Sequence, residues 1–228
     1  MNKTNSLEGN LSFKECGESL KLMKNLKSPE SDGFTVDFYK FFWKDIGAFV
    51  FRSLYFSYET GHFSELQTQG VITCIPTESK DRRYMSNGCP ISLLNTDLKI
   101  ASASIANRFK QVLSCIISDA QNGSMKDRFM GENTCLLYDL MHYLEENDMD
   151  GLLLLVDFEK AFDSIEWKFL RKALDSFNFG PSICKWFETF YVDSKSCVIN
   201  NGHISKHFIL ERGCRHGDPL SPYLLSPR

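Results

Sequence analysis

Residues 152–156 read Leu-Leu-Leu-Leu-Val, and Asp157 follows at once. The run is too short for a buried helix, and it lacks the alternation of a half-exposed strand. It therefore predicts a strand covered on both faces. Asp157 then stands where that strand leaves the core, beside Phe158 and ahead of a helix start. Two readings of this carboxylate follow. Taken alone, these residues favour a strand-end turn; the other reading is an oxygen ligand for a hard cation.

With 228 residues, 43% of them hydrophobic and 13% aromatic, the chain has the composition of a globular protein. It can bury a sizeable core as one large domain or one and a half smaller ones. Lys+Arg number 26 and Asp+Glu 29, a formal net charge of -3, so any grip on nucleic acid must be local. The eight cysteines include no Cys-x-x-Cys pair and no nearby His at finger spacing. A zinc site is therefore not expected, and reduced thiols of an intracellular protein are. No signal peptide opens the chain, and no apolar run approaches the roughly 20 residues needed to cross a bilayer. The expectation is a soluble intracellular protein, nuclear or cytoplasmic, with no membrane partner.

Residues 1–26 form a leader in which Leu20, Met23 and Leu26 suggest a short amphipathic helix, and 27–33 are a turn cluster broken by Pro29 and Gly33. From Thr35 to about Thr60, Phe38, Phe41, Phe42, Ile46, Phe49, Val50 and Leu54 recur at helical spacing, with Gly61 as the stop. Core packing is the reading of this stripe, ahead of a base-stacking platform. Residues 71–75 make a β-branched strand ended by Pro76, and the stretch from Thr77 to Asn95 reads as a loop. Asp97 to about Ser118 is a long helix with Leu98, Ala101, Ile105, Phe109, Val112, Leu113 and Ile116 on one face. Asn107, Arg108 and Lys110 contribute to the opposite face.

A second amphipathic helix runs from Glu132 to Asn147. Beyond the central strand, Asp163 with Glu166 resembles a capping box for a helix carrying Trp167, Leu170, Leu174 and Phe177. Gly180-Pro181 opens another helix, with Trp186, Phe187 and Phe190 inward, and Asn201-Gly202 marks a hairpin. His203 and His207 read as surface residues. Gly213 to Pro222 is a flexible loop leading into a last helix.

Leu153-Leu-Leu-Val-Asp157-Phe-Glu-Lys-Ala-Phe162-Asp-Ser-Ile-Glu-Trp167 resembles the first catalytic motif of reverse transcriptases from non-LTR (LINE-type) retrotransposons. Arg212-Gly-Cys-Arg-His-Gly-Asp-Pro-Leu-Ser-Pro-Tyr-Leu-Leu225 resembles the palm-to-helix motif that follows it in that family. Lys27-Ser-Pro-Glu-Ser-Asp-Gly33 is similar to a fingers loop, with Glu30 where Gly is usual. Gln121-Asn-Gly-Ser-Met-Lys-Asp-Arg128 resembles a loop in which Ser124 and Asp127 replace Phe and Gly. The sharpest departure lies between Thr77 and Asn95. There Thr77, Gly88 and Cys89 occupy the positions of a Lys, a Trp and an Arg, and the resemblance implies that the Lys and Arg hold nucleotide phosphates. At about 1.5–3 kcal/mol per charged hydrogen bond, losing both weakens nucleotide engagement by roughly two to four orders of magnitude. Lys80, Arg82 and Arg83 are the nearby basic residues that could stand in.

The resemblance implies an α/β (α+β) fold, the fingers and palm of a right-hand polymerase with an antiparallel palm sheet, truncated before the final palm hairpin and thumb. Residues 1–26 would be the leader and 27–228 the reverse transcriptase domain, incomplete at its C-terminus. It implies RNA-directed DNA synthesis with an RNA template, a DNA primer, deoxynucleoside triphosphates and Mg2+. Asp157 would be the catalytic and metal-binding residue. Phe158, Phe162, Arg215, His216 and Gly217 would bind nucleotide, Phe162 as the gate against a ribose 2′-hydroxyl and His216 in place of a Gln. Arg108, Gln121 and Arg128 would touch template-primer. Nucleotidyl transfer needs two divalent ions about 3.5–4 Å apart, held by converging carboxylates. The sequence contains no Asp-Asp pair. The expectation is a copy inactive alone; the alternative is a non-catalytic retrotransposon remnant with at most RNA- or protein-binding activity.

Overall fold

A computed structural model describes residues 7–27, 32–76, 81, 83–84, 87–118, 120–123, 128–158 and 160–225. Glu30, Thr77, Lys80, Arg82, Ser124 and Asp127, singled out in the sequence, lie outside the described residues. In chain order come α1 (Phe13–Leu22), α2 (Val36–Thr60), α3 (Glu65–Thr68), β1 (Gln69–Pro76), β2 (Gly88–Leu94), α4 (Thr96–Ile116) and α5 (Gly131–Glu146). There follow α6 (Ala161–Ser164), α7 (Trp167–Ser176), α8 (Pro181–Tyr191), β3 (Lys195–Asn200), β4 (His203–Ile204), β5 (Phe208–Ile209) and α9 (Ser221–Leu225).

Local chemistry sets several of these ends. Ser12 opens α1 with a capping box: Glu15 N–H donates to Ser12 Oγ (3.2 Å), and Ser12 N–H to Glu15 Oε2 (2.8 Å). Gly61 ends α2 in the left-handed region, at φ 75°. Asn201 and Gly202, at φ 49° and 79°, make the tight turn between β3 and β4, as the Asn-Gly pair predicts.

The sheet is mixed, so the antiparallel palm sheet expected from the sequence is corrected. β1 lies between β2, antiparallel, and β3, parallel, and the far side of β3 carries β4 and then β5. The sequence reading placed β2 within a loop, and Pro90 lies inside the strand. Pro is admissible there because β2 is the edge strand, with Cys74 opposite Pro90. The core gathers α1, α2, α4 and α8 around Leu20, Leu54, Ile105, Phe109, Ile183 and Trp186, each at most 1% exposed. Trp186, Phe187 and Phe190 point inward as expected.

Other expectations are corrected in whole or in part. The run 152–156 forms no strand and is exposed throughout, Leu152 by 97%. Apolar residues on both faces state what such a strand requires; no described strand pairs with it. The preceding α5 likewise buries none of its residues. On α2 the predicted stripe divides: Leu54 is buried and Phe38, Ile46 and Val50 pack against the core, whereas Phe41 and Phe49 are 79% and 68% exposed. The face that packs carries Tyr39, Leu54 and Tyr58. Asp163 lies inside the short α6 and is no N-cap, since α7 begins after Glu166.

Candidate functional site

The loop from Gly213 to Leu220 ties four elements together. Gly213 N–H donates to Ile165 O (2.8 Å), Cys214 N–H to Phe162 O (2.6 Å), and the Trp167 indole N–H to Gly213 O (2.8 Å). These bonds hold the loop to α6 and to the start of α7. Ser92 N–H of β2 donates to His216 O (3.1 Å). On the α4 side, Ser102 Oγ donates to the buried Asp218 carboxylate, whose Oδ1 also accepts from Leu220 N–H at 3.0 Å. Burial pushes the Asp218 carboxyl above the usual carboxylate range, while Ser102 and Leu220 act in the opposite direction. Gly217 sits at φ 92°, and a Cβ there would lie 3.0 Å from Ser92 O, so the loop's approach to β2 depends on glycine.

Two cavities flank the β1–β2 hairpin and share Ser92. The smaller, of about 370 Å3, is bounded by Ile72 and Pro90 on the sheet, Asp163 of α6, and the loop with Glu211, Arg212 and His216. His216 Nε2 is 3.7 Å from Asp163 Oδ1, and its ring lies 4.6 Å from that of Phe162. The larger, of about 810 Å3, opens on the other face between α1, α4 and the loop, where Gly217 and Tyr223 border it. Lys24, Lys27, Lys99 and Lys110 line it, and no carboxylate does among its described residues. Lys110 Nζ stands 5.4 Å above the Tyr223 ring. This basic concavity escaped the sequence reading because its lysines come from separate elements. Only proximity in the fold makes them a group.

His216 and Gly217 meet at the cavities, whereas the three arginines singled out in the sequence are held internally. Arg108 is 8% exposed and not on a solvated face, because α1 and the leader cover that side of α4. Its guanidinium donates to Glu15 Oε1 (2.7 Å) and Oε2 (3.0 Å) and to the carbonyls of Leu7 (2.8 Å), Gly9 (2.8 Å) and Asn10 (2.9 Å). All five donors are thereby engaged. Arg215 is buried, donates to Phe190 O (2.8 Å) and Ser194 Oγ, and packs on Tyr191. Arg128 donates to Ser118 O (2.5 Å) and Gln121 O (2.7 Å), closing the turn after α4. Gln121 is exposed, and Cys89 is exposed on β2.

Asp157 and Phe158 are exposed and line neither cavity. Among the described residues no three His, Cys, Asp or Glu side chains gather to hold a metal ion. They do not by themselves form the Mg2+ site that the resemblance implies.

Residues 79–226 match the reverse transcriptase (RNA-dependent DNA polymerase) family. Over 220 residues, 96% of the chain, the sequence is 32% identical to the transposon TX1 uncharacterized 149 kDa protein of Xenopus laevis. Over 167 residues, 73% of the chain, it is 23% identical to the retrovirus-related Pol polyprotein from type-1 retrotransposable element R2 of Popillia japonica. The matched stretches span 17% and 23% of those proteins' own lengths. Among the described residues, no helix is long and apolar enough to cross a membrane.

Proposed function

The chain belongs to the reverse transcriptase family, and on that premise we propose that it is the fingers and partial palm of an RNA-directed DNA polymerase. In this reading residues 27–228 are the polymerase stretch, and the leader 1–26 braces it through α1 and the Arg108 bonds. The larger cavity takes the phosphate backbone of an RNA template. The smaller takes a deoxynucleoside triphosphate against the loop from Gly213 to Leu220. Asp157 is the first of the carboxylates that bind Mg2+ in the working site. The observation that carries the reading is the pair of cavities on opposite faces of the β1–β2 pair: Lys24, Lys27, Lys99 and Lys110 line the larger with no carboxylate among its described residues, and Arg212 lines the smaller beside Glu211 and Asp163.

Filter binding of single-stranded RNA over a range of salt concentrations tests the template half. Four lysines on the strand give a slope of log K against log salt of roughly -2.8, from about -0.7 per charge. Replacing Lys24 and Lys27 with Ala removes about 1.4 of that slope. A slope near zero in the unaltered protein, or one unchanged by the double substitution, would overturn the assignment.

Primer extension on a poly-A template tests the catalytic half. With one carboxylate of the cation site present among the described residues, no Asp157-dependent incorporation is expected from the chain alone. Incorporation abolished by Asp157→Ala would show that the site completes itself.

A further inference from the structure

The outer face of α2 repeats every seven residues. Phe41, Ala48 and Tyr55 form one row, and Phe42, Phe49 and Phe56 the row beside it, all exposed. Asp45 and Arg52, also exposed, stand between successive pairs. At 100° per residue these positions fall within an arc of about 140°. Their order is a palindrome about the midpoint between Ala48 and Phe49: on reversal Phe41 takes the place of Phe56, Phe42 that of Tyr55, and Asp45 that of Arg52. The elements that pack on α2 are α1, α4 and α8. They leave the stripe open, and Asp45 and Arg52 make no ion pair among the described residues. The rings are already ordered: Phe42 lies 5.0 Å from the half-buried Phe38 ring, and Phe41 lies 4.8 Å from Phe42.

We propose that this face is a self-complementary interface, on which two copies of the chain lay their α2 helices antiparallel across a two-fold axis between Ala48 and Phe49. In such an arrangement Asp45 faces the partner's Arg52, and Arg52 the partner's Asp45. Phe41 meets the partner's Phe56, Phe42 meets the partner's Tyr55, and Phe49 fills the space over the partner's Ala48. Parallel helices would instead oppose Asp45 to the partner's Asp45 and Arg52 to the partner's Arg52, so the charges select one direction and one register. The rings supply the affinity, since exposed ion pairs add little. With roughly 200 Å2 for each aromatic side chain, the exposed fractions of the five rings amount to about 600 Å2 per copy. Two copies give about 1,200 Å2, the lower end of what stable interfaces bury. Among the described residues α2 contributes only Val36 to the larger cavity and nothing to the smaller, so this face is separate from the sites proposed for template and nucleotide.

The test is sedimentation velocity of the whole chain over a range of concentrations, unaltered and with Asp45→Arg, Arg52→Asp or both. The unaltered chain is expected to dimerise with a Kd on the order of 10 μM, as small interfaces do. Each single substitution puts like charges together at both symmetry-related contacts and should weaken self-association by at least about a hundredfold. An equimolar mixture of the two single variants restores opposite charges at both contacts, and so does the doubly substituted chain. Both should recover the dimer to within about tenfold of the unaltered affinity. That recovery distinguishes lost pairing from lost folding. A monomer at about 100 μM in the unaltered chain overturns the proposal and leaves the stripe to a different macromolecule. Self-association that the single substitutions leave unchanged also overturns it, because another surface, such as the exposed run 152–156, then makes the contact. Loss in both single variants with no recovery in the mixture overturns it as well.

Discussion

Arg108, expected from the family resemblance to touch template-primer, gives its whole guanidinium to the architecture. Its five donors reach three carbonyls of the leader and both oxygens of Glu15, so it fastens the chain's first described residues to α4. Arg108→Ala should cost about 2–5 kcal/mol in denaturant unfolding, because it strands several buried acceptors and a partly buried carboxylate. It should leave the salt slope of RNA binding unchanged in the fraction that folds. Glu15 adds a pH dependence. Burial alone would raise its carboxyl, but hydrogen bonds from Arg108 and Ser12 outweigh that and hold it below the ordinary 4.5. A carboxyl lowered on folding stabilises above its unfolded value, and that contribution disappears as pH falls through the folded value. Glu15→Gln should therefore flatten the acid limb of a stability–pH curve below about 4.5, the ordinary value, while lowering stability at neutral pH.

At the scale of elements, an amphipathic or apolar pattern established where a helix or strand could form but not what it would meet. α4 has the predicted apolar face buried, yet its opposite face is also covered, through Ser104 and Asn107 bonding to Ser19 of α1. α5 has the pattern of a packed helix and buries nothing, and the run that follows it is exposed from Leu152 to Phe158. Substitutions should separate the two kinds of leucine. Leu152→Lys should change unfolding free energy by no more than about 0.5 kcal/mol, as surface substitutions do. Leu170→Ala, in a helix position 2% exposed, should cost about 2–5 kcal/mol. Comparable losses for the two would mean that the apolar run is packed in solution.

Taken as a whole, the molecule divides into a tightly joined body and an arm that adds little to it. α1, α2, α4 and α8 with the sheet make the body, and residues 129–158 make the arm. Amide exchange should follow that division: protection close to the global unfolding free energy in α4 and α8, and little in residues 149–158. Slow exchange along the apolar run would contradict it. Much of this architecture was legible in the sequence, including α1, α2, α4, α7, α8, the Asn-Gly hairpin and the His216–Gly217 loop. Each of these is set by local spacing, a cap or a turn residue. What the sequence could not disclose was decided by partners distant in the chain. The Pro-containing β2 became a strand only by pairing with β1, and four lysines became a basic groove only when α1 was laid along α4. Arg108 became a brace because the leader closed over it. Family membership is written in the order of side chains, whereas burial and pairing depend on what the rest of the chain brings alongside, and that is settled only in three dimensions.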